Sequence, residues 1–318
     1  IGALYAYIRR QVLETAFGDS RRGYVYARVR DNLLTLAEMP QHPKNWRPTI
    51  LVLSRYPRTR PTMMTLAEWM ECERGIIVLG RIVVAKDFSN VSELRKGELR
   101  RLEQFLREEK LPAFPEVLVT DDLDHGLNAM LQCHSIGPIK SNIVMFGWPT
   151  SPVRSGPFVH HLQSAFQMDM SLVAVIDHGL PPRGQNKRRI DVWWRGMENG
   201  SLMVILAYLI SHNEEWVGCR IRVLRVVENE AGREPATENL QALVAAARIE
   251  AAVEVIVSDA PFDHILRERS ADAALLILGF SVPNEEAAEA FCQRFTEMAN
   301  GMPTTLLVCS SGEADLFA

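Results

Sequence analysis

The stretch Ile190-Asp191-Val192-Trp193-Trp194 is followed by Gly200-Ser201-Leu202 and then by Trp216-Val217-Gly218-Cys219-Arg220-Ile221-Arg222-Val223. A short β-rich run, a helix-length apolar segment and a second β-rich run at this spacing read as strand, helix, strand. Successive strand residues face opposite sides, so Trp193 and Trp194 are predicted to enter different layers, one under a covering helix and one against the opposite layer. Paired aromatics so placed act as fold determinants and not as a ligand cage.

Working outward, the same alternation fills the chain. After Arg189 to Trp194 the second half has strand candidates at Cys219 to Val227, Ala252 to Val257, Ala274 to Gly279 and Thr304 to Cys309. Helix candidates between them are Gly200 to Ser211, Pro235 to Ile249, Pro261 to Arg269 and Asn284 to Asn300. The first half offers strands at Thr49 to Ser54, Gly75 to Ala85, Glu116 to Thr120, Asn142 to Gly147 and Ser171 to Ile176. These runs are apolar on both faces, as buried parallel strands are. Val91 to Lys110 is a helix with Leu99, Leu102, Phe105 and Leu106 as its apolar stripe. Ile143-Val144-Met145-Phe146-Gly147 ahead of a Pro-containing loop parallels Leu276-Ile277-Leu278-Gly279-Phe280 ahead of Ser281-Val282-Pro283.

The halves therefore read as an internal duplication of an α/β unit, each a five-stranded, mainly parallel sheet flanked by helices. The expected organisation is a leading segment over residues 1–47, a first unit over 48–178, a linker over 179–188 and a second unit over 189–318. The linker carries two prolines, two glycines and a basic cluster without apolar period. The two units are expected to superimpose strand for strand, each with a sheet of its own. Ahead of the first unit, Tyr24 to Met39 places Val25, Val29, Leu33 and Leu36 at helical spacing, so this helix packs on its own sheet or on a second subunit.

Composition narrows the function. The chain has 318 residues, 47% of them apolar, enough to bury a substantial core. Its 35 Lys and Arg against 39 Asp and Glu give a formal charge of -4, which offers no general attraction to nucleic acid. The five cysteines, at 72, 133, 219, 292 and 309, form no C-x-x-C pair and read as reduced thiols of a cytosolic protein. The chain begins with Ile1 and not Met, as a fragment or a processed piece would. Its opening Ile1-Gly2-Ala3-Leu4-Tyr5-Ala6-Tyr7-Ile8, with Arg9-Arg10 behind it, reads either as the tail of a membrane helix or as a short amphipathic surface helix.

Candidate chemistry is sparse. Asp121-Asp122-Leu123-Asp124-His125 directly precedes a helical run, where carboxylates cap free N–H groups; capping is favoured over metal binding. His160-His161 and Asp177-His178 lack a third ligand at a suggestive spacing, so no metal site is assigned. No nucleophile elbow is present, and the Walker and Gly-x-Gly-x-x-Gly patterns are absent, so no catalytic residue is assigned.

The Ile-Asp-Val-Trp-Trp and Trp-x-x-Cys-x-Ile-Arg-Val segments resemble the C-terminal cytosolic domain of the cation-chloride cotransporters, within the amino acid-polyamine-organocation superfamily. Gly18-Asp19-Ser20 with Tyr24 and Asn32-Leu33-Leu34 looks like the start of that family's scissor helix. His42-Pro43-Lys44-Asn45-Trp46-Arg47-Pro48 resembles its lead into the first strand, and Arg60-Pro61 its Arg-Pro after that strand. Ile139 to Gly147 and Met302 to Val308 fall in the family's order as well. The short linker lacks the long phosphorylatable insertion of animal members, so the form resembles prokaryotic ones and kinase regulation is not implied. The resemblance implies a regulatory and dimerisation domain on the cytoplasmic face of the cell membrane, joined to its own transmembrane transport domain. It implies a homodimer in which the Tyr24 to Met39 helix takes part, through Val29, Leu33 and Leu36.

The duplicated unit also resembles the universal stress proteins, which bind ATP through a Gly-rich loop after the fourth strand. Here that loop runs from Gly147 to Gly156, with Gly147, Ser151, Ser155 and Gly156 as the nucleotide-loop residues. The G-x-x-G spacing is not kept, so nucleotide is expected to be absent or weakly held and no cofactor is required. The alternative function is a free nucleotide-binding protein of the universal stress type.

Overall fold

A computed structural model describes residues 20–40, 42, 45–54, 57–181 and 188–314. The residues form two units, each taken by itself. The smaller holds helix α1 (Ser20–Glu38) and a two-residue-per-strand hairpin, Ser135–Ile136 with Ile139–Lys140. Gly137 supplies the positive φ of 58° that the tight hairpin turn ahead of Pro138 needs. The expected membrane-proximal opening, residues 1–19, lies outside the described residues, as do residues 182–187 of the linker.

The larger unit is built on ten strands: β1 (Thr49–Leu53), β2 (Ile76–Val84), β3 (Ala113–Thr120), β4 (Ile143–Gly147), β5 (Ser171–Ile176), β6 (Arg189–Trp193), β7 (Arg220–Val227), β8 (Ala251–Val257), β9 (Leu275–Gly279) and β10 (Thr305–Cys309). Every one of the ten falls on a run expected to be a strand. The helices are α2 (Pro61–Glu71), α3 (Val91–Glu109), α4 (Leu123–Cys133), α5 (Ser155–Phe166), α6 (Met197–Ser211), α7 (Arg233–Ala246), α8 (Phe262–Ser270) and α9 (Ala288–Ala299).

The spatial order is β8-β7-β6-β9-β10-β5-β4-β1-β2-β3. Each half thus has its first strand between its second and fourth, the third beyond the second and the fifth beyond the fourth, and all pairs within a half are parallel. This identical order is what an internal duplication predicts. The expectation of two separate sheets is corrected: β5 and β10 pair antiparallel, Thr305 opposite Ile176 through Cys309 opposite Leu172, and fuse the halves into one sheet. The physical reason is the edge. A fifth strand left unpaired exposes a row of N–H and C=O groups, and two such edges related by a two-fold satisfy each other. Both strands are buried along their whole length, so the joined edge lies in the middle of the core.

Both faces of the sheet are covered, which explains the two-sided apolar strands. Ile50 and Val52 of β1 pack with Met63, Met64 and Leu66 of α2, whereas Leu51 between them packs with α4 and α5 residues. Trp194 sits on the first face and Trp193 on the second, both about 5% exposed, as the alternation required. Trp193 donates its indole N–H to Ser270 Oγ at 3.0 Å, which satisfies its one polar atom. Trp194 lies against Gly200 of α6, where a side chain would collide with its ring. On the same face Trp69 meets Trp216 edge to face, 5.2 Å apart, joining α2 of the first half to the segment after α6 of the second.

Polar groups close the strand ends. Asp191 is fully buried in β6 and accepts from Arg189 Nε at 2.9 Å and from Arg222 Nε and Nη2 at 3.1 and 2.7 Å. Arg222 also donates to Glu254 at 2.8 Å, so one carboxylate and its neighbours tie β6, β7 and β8 together.

Candidate functional site

Open parallel sheets bind ligands at the carboxyl ends of the strands, where the strand order reverses. The larger unit has two such crevices, one between β1 and β4 and one between β6 and β9. Because the halves run antiparallel, the crevices open at opposite ends of the sheet.

At the first crevice β4 ends on Gly147, and the guanidinium of Arg60 occupies the place of the missing side chain. A Cβ there would stand 1.4 Å from Arg60 Nη1. Arg60 Nη2 also reaches the carbonyl oxygen of Trp148 at 3.5 Å. The Trp148 ring turns to the other face, is 6% exposed, and packs edge-on to Phe158 at 5.2 Å and Phe295 at 6.1 Å. Its N–H donates to Thr296 Oγ1 of α9 at 2.9 Å, so a residue of the first half is fixed by a helix of the second.

The second crevice repeats the arrangement with different chemistry. β9 ends on Gly279, and the Asn199 side chain lies beside it, 3.1 Å from where a Cβ would be. Asn199 donates from Nδ2 to the Phe280 carbonyl at 2.8 Å and accepts at Oδ1 from Ser310 N at 2.8 Å. Phe280 takes the position of Trp148 and meets Phe291 at 5.7 Å; Trp148 lies 5.8 Å from the same ring. Beside it a pocket of about 500 Å³ remains, lined by Gln163 and Gln167 of the first half and by Glu198, Asn199, Ser281 and Ser310 of the second. Cys309 lies on its wall, and burial pushes the thiol up to about 11.

The four expected nucleotide-loop residues stand in different surroundings. Gly147 is covered by Arg60. Ser151 is half-buried ahead of a single 3-10 turn, Pro152–Arg154. Ser155 is buried at the start of α5, where its hydroxyl meets Cys292; burial raises that thiol and the bond to Ser155 partly offsets it. Gly156 is exposed with open space around it. What the sequence did not show is Arg60, which lies 88 residues from the Trp148 carbonyl it reaches; only the Arg60-Pro61 dipeptide pointed to it.

The acidic cluster before α4 caps that helix, as expected: Asp122 Oδ1 accepts from the backbone N–H of Asp124 at 2.9 Å and of His125 at 3.0 Å. Those bonds, from His125 first, hold the Asp122 carboxyl below its ordinary range. His161 pairs with Asp124 at 2.6 Å and His160 with Glu285 at 2.9 Å, so each histidine has a carboxylate partner. Among the described residues no group of three or more metal-ligating side chains occurs. In the smaller unit, Val29 and Leu36 of α1 are about half exposed, Leu33 is half-buried, and Tyr24, Val25, Tyr26 and Leu34 are all more than half exposed.

Comparison with known proteins agrees with this architecture. The chain is similar in structure to the cytoplasmic domain of a prokaryotic cation chloride cotransporter, with a TM-score of 0.61 at 17% identity over 86% of this chain and 99% of that one. It is similar also to a universal stress protein from Archaeoglobus fulgidus, with a TM-score of 0.55 at 12% identity over 84% of this chain and 97% of the other. At such identities the likeness establishes a shared fold, a tandem α/β arrangement of the universal stress type. The family model of solute carrier family 12 matches residues 60–180 and 182–263, more than half of the chain, and the chain therefore belongs to solute carrier family 12.

Proposed function

We propose that this chain is the cytosolic regulatory and dimerisation domain of a secondary-active cation-chloride cotransporter, whose membrane domain carries out transport of the Na+/K+/Cl- type. The observation that carries this reading is family membership, supported by the fold it shares with the cytoplasmic domain of a prokaryotic cation chloride cotransporter. Among the described residues no helix is long and apolar enough to cross a membrane, so ions pass through a part of the transporter other than these.

The mechanism in this reading is conformational. A domain that pairs two transport units and sits on the cytoplasmic face biases the membrane part between states by binding one arrangement better than another. Pairing runs through α1. Val29, Leu33 and Leu36 fall at i, i+4 and i+7 on one face, with Val29 and Leu36 about half exposed and Leu33 half-buried. A two-fold contact uses such a stripe twice. No turnover belongs to this function, and nucleotide is not required for it, because Arg60 lies over Gly147 and the Trp148 ring is packed into the core.

Light scattering at tens of micromolar, with circular dichroism as the control, tests the proposal. The wild type is expected to be a dimer, and Leu36→Asp or Val29→Asp a folded monomer, since each would place a charge in a dry contact. A monomeric wild type overturns the dimerisation role.

A further inference from the structure

The first crevice holds a second feature beside Arg60. Ser54 follows β1 and is still in the ladder, donating its N–H to Gly80 O at 3.2 Å. The residue is 7% exposed, and its buried hydroxyl has no hydrogen-bond partner. A buried hydroxyl left unmade is costly, and most such groups in folded proteins are paired.

The register shows where this hydroxyl points. Val52 lies opposite Met145, so Ser54 falls opposite Gly147, two residues on. Ile50 and Val52 face α2, and alternation puts the Ser54 side chain on that same face. Gly147 turns its open side the same way, because the atoms met there are those of Arg60 and of Met63 in α2. Adjacent strands are ~4.8 Å apart. Ser54 Oγ and the Arg60 guanidinium therefore face one small volume at the N-terminus of α2.

The charges around that volume are unbalanced. Arg60 has no carboxylate within ion-pair distance among the described residues, and its bond to Trp148 O is long. Pro61 is the first residue of α2 and Arg60 its N-cap, and no side chain hydrogen-bonds to this helix end, which leaves its positive pole without a side-chain acceptor beside the guanidinium. A buried hydroxyl and a guanidinium on one face of the sheet, beside a helix N-terminus without a side-chain cap, are the elements of an anion site.

We propose that a small inorganic anion, a halide or a phosphate, binds between Ser54 Oγ and the guanidinium of Arg60, at the crevice of the first half. Of the expected nucleotide-loop residues the site borders Gly147 and makes no use of Ser151, Ser155 or Gly156, and it does not depend on dimerisation. The second crevice has no equivalent, since Asn199 takes the place of Arg60 and is satisfied on both sides.

The test is thermal unfolding of the whole chain in sodium gluconate at constant ionic strength, replacing gluconate stepwise by chloride, by bromide, or by inorganic phosphate in separate series. The expected result is a saturable rise in melting temperature of roughly 2–4 °C at ten times Kd in the halide or the phosphate series. Whichever series saturates identifies the anion. Ser54→Ala, which removes only the hydroxyl, and Arg60→Gln should abolish the saturable part while melting in gluconate stays cooperative. In a bromide-soaked crystal an anomalous peak is expected beside Arg60. No saturable rise in any series with the wild type, or an equal rise in Ser54→Ala, overturns the proposal.

Discussion

Replacing Gly200 by alanine tests whether the Trp-Trp strand and α6 are fitted to each other. A Cβ on Gly200 would stand 2.3, 2.4 and 2.6 Å from Cη2, Cζ3 and Cζ2 of Trp194, three atoms of one ring face. Carbon atoms rest at ~3.5–4.0 Å, so the indole has to retreat by more than ~1 Å. It is 5% exposed and packed in the core, so the retreat displaces neighbours. Overpacking of this kind costs ~1–3 kcal/mol. Against it stands the better helix propensity of alanine, ~0.8–1 kcal/mol. The net expectation is a loss of about 0–2 kcal/mol, in place of the gain that propensity alone would give. Gly97 in the middle of α3 is the matched control, because a Cβ there meets nothing within 4 Å. Gly97→Ala should gain ~0.5–1 kcal/mol. Urea unfolding followed by circular dichroism measures both. Combining Gly200→Ala with Trp194→Phe should remove most of the penalty, a coupling of about 0.5–3 kcal/mol between contacting residues. If Gly200→Ala gains stability as Gly97→Ala does, the reasoning about this contact is refuted.

Three further outcomes follow from the core and its polar groups. Asp191→Asn leaves Arg189 and Arg222 without their shared buried carboxylate and should cost about 3–5 kcal/mol, whereas Asp272→Asn, at a carboxylate 79% exposed, should change stability by only about 0–1 kcal/mol in the same urea assay. Trp148→Ala should lose ~3–5 kcal/mol by opening a cavity and freeing Thr296; a neutral result would mean that the ring does not lock α9. Burial pushes the Cys219 and Cys309 thiols from the ordinary 9.0 up to about 11, so the folded state keeps protons that the unfolded state releases. Stability from these groups is complete below pH 9 and is lost as pH rises from 9.0 to about 11; melting temperatures across that window should fall less steeply in Cys309→Ala, and alkylation at pH ~8 should reach the exposed Cys133 before the half-buried Cys219 or the buried Cys309.

Much of this fold is legible in the sequence because buried parallel strands are written as short continuous apolar runs, and all ten appear where such runs occur. The capping of α4 is legible for a similar reason: Asp122 and the N–H groups it satisfies are within three residues. α2 is harder to read. Thr62, Met63, Met64, Leu66, Ala67, Trp69 and Met70 are all buried, so the helix shows no polar face to give it a period. The joining of β5 to β10 leaves no local trace, since an edge strand and a central strand of the same hydrophobicity look alike until their neighbours are known. The crevice is half legible. A glycine ending β4 marks a close approach, yet its partner Arg60 comes from a loop 88 residues before Trp148, and no spacing rule links them.

The fusion of the two sheets and the covering of the loops after the fourth strands are one structural event. A lone α/β unit of this kind leaves two features exposed: the edge of its fifth strand, and the crevice beside its fourth. Pairing β5 with β10 about a two-fold removes both edges and at the same time brings α5 and α9 side by side over the seam. That placement lets Trp148 bond to Thr296 of α9, and lets Gln163 of α5 bond through Nε2 to the Pro283 carbonyl at 2.7 Å, next to Phe280. The helix after each fourth strand thus reaches the loop after the other. Where that loop carries tryptophan the ring is buried among Phe158, Phe291 and Phe295; where it carries phenylalanine a pocket of about 500 Å³ is left. The loop that the resemblance to the stress proteins marks for nucleotide is in this chain the contact by which each half holds the other.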